Sequence, residues 1–69
     1  MKVFTAVIEK DVDTNLYVGY VPSFVGAHSQ GETLDELREN LQEVIAMLLE
    51  DDVVSPQSEF VGTQLIAVA

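Results

Sequence analysis

Twelve carboxylates against three Lys and Arg side chains leave this 69-residue chain with a formal charge of −9. Carboxylates could hold divalent ions for hydrolysis, but two-metal chemistry needs several of them converging on ions about 3.5–4 Å apart. Here the acids lie mostly along one helix-like stretch or in polar connectors. Only Glu9 falls inside the first strand-like stretch, and Glu59 merely precedes the last. A solvated acidic face is the expected reading, with no metal site. His28 is the sole histidine, and Ser29 follows it. A serine hydrolase needs the imidazole to hydrogen-bond the hydroxyl and a carboxylate to orient the ring. Neighbours in a strand point to opposite faces, so His28 reads as a surface or interface residue and no catalytic residue is assigned. Gly26 and Gly31 have the glycine spacing of a phosphate loop, but no Lys-Ser/Thr follows them and Glu32 would repel phosphate. They read as structural glycines. Tyr17, Tyr20 and Phe24 could stack on bases, yet no basic residue lies nearby to track a nucleic-acid backbone. Core or interface packing is the better use for them.

The charge also limits partners. An acidic chain cannot displace counterions from phosphates as Lys and Arg do, so direct nucleic-acid binding is not expected. A basic protein partner, or simple solubility, suits it better. Cysteine is absent, which removes disulfides and zinc-thiolate sites. No residue cluster calls for a cofactor. No run nears the ~18 apolar residues that would cross a membrane, and no secretory signal pattern is visible; the cytoplasm is the expected location.

The elements that must position these groups follow from periodicity. Lys2–Lys10 is rich in Val, Phe, Thr and Ile and reads as a strand. Asp11–Asn15 is a polar turn, and Leu16–Val21 completes a hairpin. Pro22 ends that strand because it has no N–H for a ladder. After a turn over Ser23–Gly26, Ala27–Gln30 makes a short third strand, and Gly31 supplies permissive backbone before a helix. Thr33 is an N-cap with Glu36 completing a capping box. Leu34, Leu37, Leu41, Val44, Ile45 and Leu48 form an apolar stripe at the helical period. Asp51 and Asp52 help end the helix, Ser55-Pro56-Gln57-Ser58 connects, and Phe60–Val68 reads as a fourth strand.

The expected fold is α+β: a two-layer β-β-β-α-β unit over residues 1–69, an antiparallel sheet with one helix on one face. One helix covers one side only, and both faces of the first and last strands carry apolar residues. Monomers rarely leave a broad apolar patch in water, and a chain this short needs a staple that neither disulfides nor metals supply. A homodimer or higher homo-oligomer is therefore expected.

From Tyr17 to Ile45 the chain resembles the HicB antitoxin family. The resemblance rests on Val21-Pro22, Gly26, Gln30-Gly31-Glu32-Thr33, Glu36, Asn40 and Glu43 taken in order. It implies a partial RNase H-like fold. It also implies an antitoxin of a type II toxin-antitoxin system, neutralising a small basic mRNA-cleaving toxin (HicA-like) by direct binding rather than by catalysis. Many members add a DNA-binding domain. The charge and the element order here give no expectation of operator binding by this chain alone. Charge alone nominates Glu36, Glu39 and Glu43, about one helical turn apart, as partner-binding residues. An orphan homo-oligomeric interaction module without a toxin is the alternative reading. A small metal-dependent nuclease is the third, and the scatter of the acids weighs against it.

Overall fold

The computed structural model describes residues 2–51 and 58–69. Three short strands, β1 (Val7–Lys10), β2 (Tyr17–Tyr20) and β3 (His28–Gly31), precede one helix, α1 (Leu34–Asp51). The strands form an antiparallel sheet in the order β1-β2-β3, with Ile8 opposite Gly19 and Gly19 opposite Ser29. The α+β class and the order β-β-β-α are as the sequence implies.

The β1–β2 hairpin turns where the polar run stands. Asp11 N–H donates to the Leu16 carbonyl at 2.8 Å, and Asn15 N–H donates to the Asp11 carbonyl at 2.8 Å. Asn15 takes a left-handed conformation at φ 64°, which Asn tolerates better than most residues. The Asp11 carboxylate accepts from the Thr14 hydroxyl at 2.6 Å and from the Thr14 N–H at 3.3 Å.

The helix starts at the expected cap. Thr33 Oγ1 accepts from Glu36 N–H at 3.0 Å. The return bond of the box is shifted by one residue: the Glu36 carboxylate accepts from the N–H of Glu32, at 3.3 Å, not from that of Thr33. The apolar stripe faces the sheet from Leu37 onward; Leu34 lies outside the contact and is exposed. Leu37 is fully buried, and it shares the buried apolar set with Leu41, Val21, Phe24 and Ala27. Phe4, Ala6, Ile45 and Leu48 pack half-buried against Val21, Phe24 and Ala27, and the Phe4 and Phe24 rings sit 5.5 Å apart.

The approach of helix to sheet is set by two glycines. A Cβ on Gly19 would lie 3.1 Å from a Leu41 methyl and 3.2 Å from a Leu37 methyl. A Cβ on Gly31 would lie 2.6 Å from the Leu37 backbone nitrogen. Gly31 is therefore needed for space against the first helical turn. Its φ is not in the left-handed region, so the permissive backbone expected of it is not what the fold uses. Asn40 then fastens the two layers: its side-chain amide donates to the Gln30 carbonyl on β3 at 2.8 Å.

Three expectations need adjusting. First, Lys2–Ala6 lies outside the ladder. Its would-be partners beyond Tyr20 bend into the turn closed by Val21 N–H to the Ala27 carbonyl at 2.9 Å. Second, Phe60–Val68 joins no strand ladder. A strand exists only where a neighbour takes its backbone bonds, and no backbone hydrogen bond links this stretch to other described residues. Third, the sheet face away from the helix is mixed. Val7, Val18 and Tyr20 share it with Glu9, His28 and Gln30, as the register and the inward-facing Gly19 require. The broad apolar surface expected there lies elsewhere, on the chain after Ser58. Val61, Leu65 and Val68 are 92%, 103% and 87% exposed. Asp52 and the connector residues 55–57 lie outside the described residues.

Candidate functional site

Glu36, Glu39 and Glu43 all project from the side of α1 that does not pack on the sheet, and all three are exposed. Spacings of three and four residues bring them to one face. The structure divides them by role. Glu36 already serves the helix N-terminus through Glu32 N–H, whereas no hydrogen bond to another described residue engages the Glu39 or Glu43 side chain. Asn40 stood with these acids in the sequence, yet it is half-buried and belongs to the helix–sheet joint. An Asn among the acids of a polar helix face gives no sequence signal of such a bond; only the place of Gln30 across the layer reveals it.

Other residues with chemical potential are kept apart. His28 and Ser29 lie on opposite sheet faces: His28 pairs with Tyr20 on the open side, and Ser29 pairs with Gly19 toward the helix. Their side chains do not converge. Gly26 has φ 90° in the turn before β3, while Gly31 packs on the helix, so the two do not form one phosphate cradle. Phe24 is core, Tyr20 is exposed on the open face, and Tyr17 is half-buried with Lys10 Nζ 5.3 Å from its ring centre. Among the described residues no three His, Asp or Glu side chains group as a metal site would require. Among the described residues no helix is long and apolar enough to cross a membrane. Among the described residues, Asp11 has a shifted carboxyl. The Thr14 hydroxyl bond, helped by the Thr14 and Asp13 amides, holds its pKa below the usual Asp value, because hydrogen bonds to a carboxylate favour its charged form.

Sequence inspection missed a groove. It is about 520 Å³ and lies between the stretch Lys2–Ala6 and the second half of α1. Phe4 and Ala6 form one wall, and Leu41, Ile45 and Leu49 form the other, with Lys2 and Arg38 also lining it. It lies beside the stretch before β1, which joins no described strand ladder.

A small antiparallel sheet under one acidic helix is the frame on which the family comparison bears. The profile of the HicB-like antitoxin of bacterial toxin-antitoxin systems matches residues 4–67. The chain belongs to this HicB-like antitoxin family. Relatives of this HicB-like chain span nearly its whole length. A UPF0150 protein of Synechocystis sp. is 45% identical over 65 residues, covering 94% of this chain and 93% of its own. A UPF0150 protein of Thermotoga maritima is 45% identical over 69 residues, with 97% and 91% covered. One of Archaeoglobus fulgidus is 45% identical over 65 residues, with 94% and 93% covered. No solved structure matches the chain. The HicB-like family implies an antitoxin role with a toxin as partner in general, and so suggests a regulator.

Proposed function

We propose that this HicB-like chain acts in the cytoplasm as a stoichiometric antitoxin. It binds a small basic, HicA-like mRNA-cleaving toxin and masks the surface the toxin needs for RNA. The observation that carries the reading is the exposed carboxylate face of α1, on a chain of net charge −9 whose other helical face is already spent on the core. Glu39 and Glu43 are free to meet a basic surface, and Glu36 contributes from the capped turn. Complementary charge of this kind speeds encounter and rejects acidic competitors more than it adds affinity. The experiment is a binding titration of a basic protein encoded beside this chain, using the parent and Glu39→Lys/Glu43→Lys. Glu36 is left in place to spare the helix cap. Slower association at low salt, converging with the parent at high salt, is expected. An association rate unchanged at low salt removes the acidic face from the interface.

A second element of the reading is self-association, as a homodimer or larger assembly of single-domain chains. It is supported by the exposure of Val61, Leu65, Ile66 and Val68 along one stretch, which exceeds the scattered apolar residues normal on a monomer surface. Self-association is compatible with the toxin reading and would also serve an orphan interaction module.

A further inference from the structure

We infer that residues 60–69 of one copy of this chain lie in the groove of a second copy, adding a strand beside its Lys2–Lys10 edge, with the exchange made reciprocally. The inference rests on the self-association part of the proposed function and is independent of the toxin.

Three observations meet here. The first is the segment. Phe60–Ala69 carries no charge and is rich in Val, Ile and Leu. Its residues after Phe60 are all exposed, and no backbone bond holds it to other described residues. Its start is held to the body of the fold, where the Ser58 hydroxyl donates to the Pro22 carbonyl at 3.2 Å. Beyond that anchor the chain leaves the body. The radius of gyration is 13.5 Å, against about 11 Å for a compact chain of this length. The longest dimension is 45 Å, against 27 and 20 Å for the others.

The second observation is the vacancy beside β1. β3 and α1 build up one side of the sheet, and α1 packs on β3 and β2. β1 is paired only on its β2 side. An open strand edge presents a row of unpaired N–H and C=O groups, which is a template for another chain. The groove lies beside the chain just before β1, with Phe4 and Ala6 of that stretch on one side and Leu41, Ile45 and Leu49 on the helix side. An apolar strand seated there would take its backbone bonds from the edge and bury its side chains under the helix.

The third observation is charge. Two of the three Lys and Arg side chains, Lys2 and Arg38, line the groove. A basic partner is repelled there, whereas an uncharged segment is not. Two chains of net charge −9 repel overall, so a stable contact between them is best made through a neutral segment and a groove free of carboxylates. Reciprocal exchange closes on itself with two-fold symmetry and leaves no open end. The second copy is thus the occupant whose chemistry fits.

The test uses the unaltered protein. Sedimentation equilibrium gives the assembly mass. An equimolar mixture of 13C-labelled and unlabelled chains, co-folded from denaturant, gives isotope-filtered cross-relaxation between copies. The expected result is a multiple of the single-chain mass, with contacts to the Phe4 ring and Ala6 methyl of one copy from the methyls of either Leu65 or Ile66 of the other, whichever face of the added strand turns inward. Leu65→Glu/Ile66→Glu should weaken self-association at least tenfold, while Val12→Glu, in the exposed hairpin turn, should not. A single-chain mass at micromolar concentration overturns both the exchange and self-association. An oligomer in which those contacts arise only within one copy, or not at all, overturns the exchange alone.

Discussion

Substituting Gly31 by Ala tests how the helix is seated on the sheet. The added Cβ would stand 2.6 Å from the Leu37 nitrogen, 3.0 Å from its Cα and 3.1 Å from the Glu36 carbonyl carbon. These are backbone atoms of the first helical turn, and they cannot rotate away as a side chain does. Relief requires the turn to lift from β3. That strains the Asn40 bond to Gln30 and loosens Leu37, the most deeply buried side chain described. Overpacking commonly costs about 1–3 kcal/mol, and the rigid obstacle places Gly31→Ala near the top of that range. Gly19→Ala meets only the methyls of Leu41 and Leu37, at 3.1 and 3.2 Å, which can shift; about 1 kcal/mol or less is expected. A domain of this size holds roughly 3–5 kcal/mol in all, so Gly31→Ala should leave a visible unfolded fraction in buffer. Urea titration followed by far-ultraviolet circular dichroism, at one fixed chain concentration because assembly would add to stability, measures both variants. Equal stabilities, or a larger loss from Gly19→Ala, would falsify the seating described.

Other outcomes follow from single contacts. Leu37→Ala should cost about 2–5 kcal/mol by emptying a fully buried site, and the same urea titration would show it as a large fall in midpoint. Asn40→Ala should cost about 1 kcal/mol by orphaning the Gln30 carbonyl; a midpoint equal to the parent's would mean that the bond does not hold in solution. Asp11 titrates below the usual Asp value because of Thr14. Its folded-state pKa is depressed, so the stability it adds is present above the unfolded value and is lost as pH falls through the folded one. A carboxyl titration by NMR should show the Asp11 pKa rising in Thr14→Ala, and no movement would contradict the assigned cause. Thr33→Ala should cost about 1 kcal/mol through loss of the cap, read as a lower urea midpoint.

The helix was legible in the sequence because three local signals agreed: the Thr33 cap, the Glu36 return and the leucines at helical spacing. The first hairpin was legible for a similar reason, since Asp11–Asn15 can close a turn with its own side chains. The missed features are non-local. Asn40 looks solvent-facing until Gln30 is placed across from it. Gly31 looks like a flexible joint until the helix backbone is found against it. Phe60–Val68 has a strand's composition, but composition does not name a neighbour, and none of the three described strands of its own chain takes that place. The acidic trio was picked by charge, although the capping box already gave Glu36 a second role that sets it apart from Glu39 and Glu43.

That engagement has a thermodynamic cost for any cationic visitor. A lysine that draws the Glu36 carboxylate outward releases the Glu32 amide to water and takes a tether from the mouth of the helix. Part of the attraction gained is thereby returned as fraying of the first turn. Glu39 and Glu43, with no such prior engagement, can be recruited without that tax, so the grip of a basic surface should centre one to two turns further along the rod than the density of acids alone suggests.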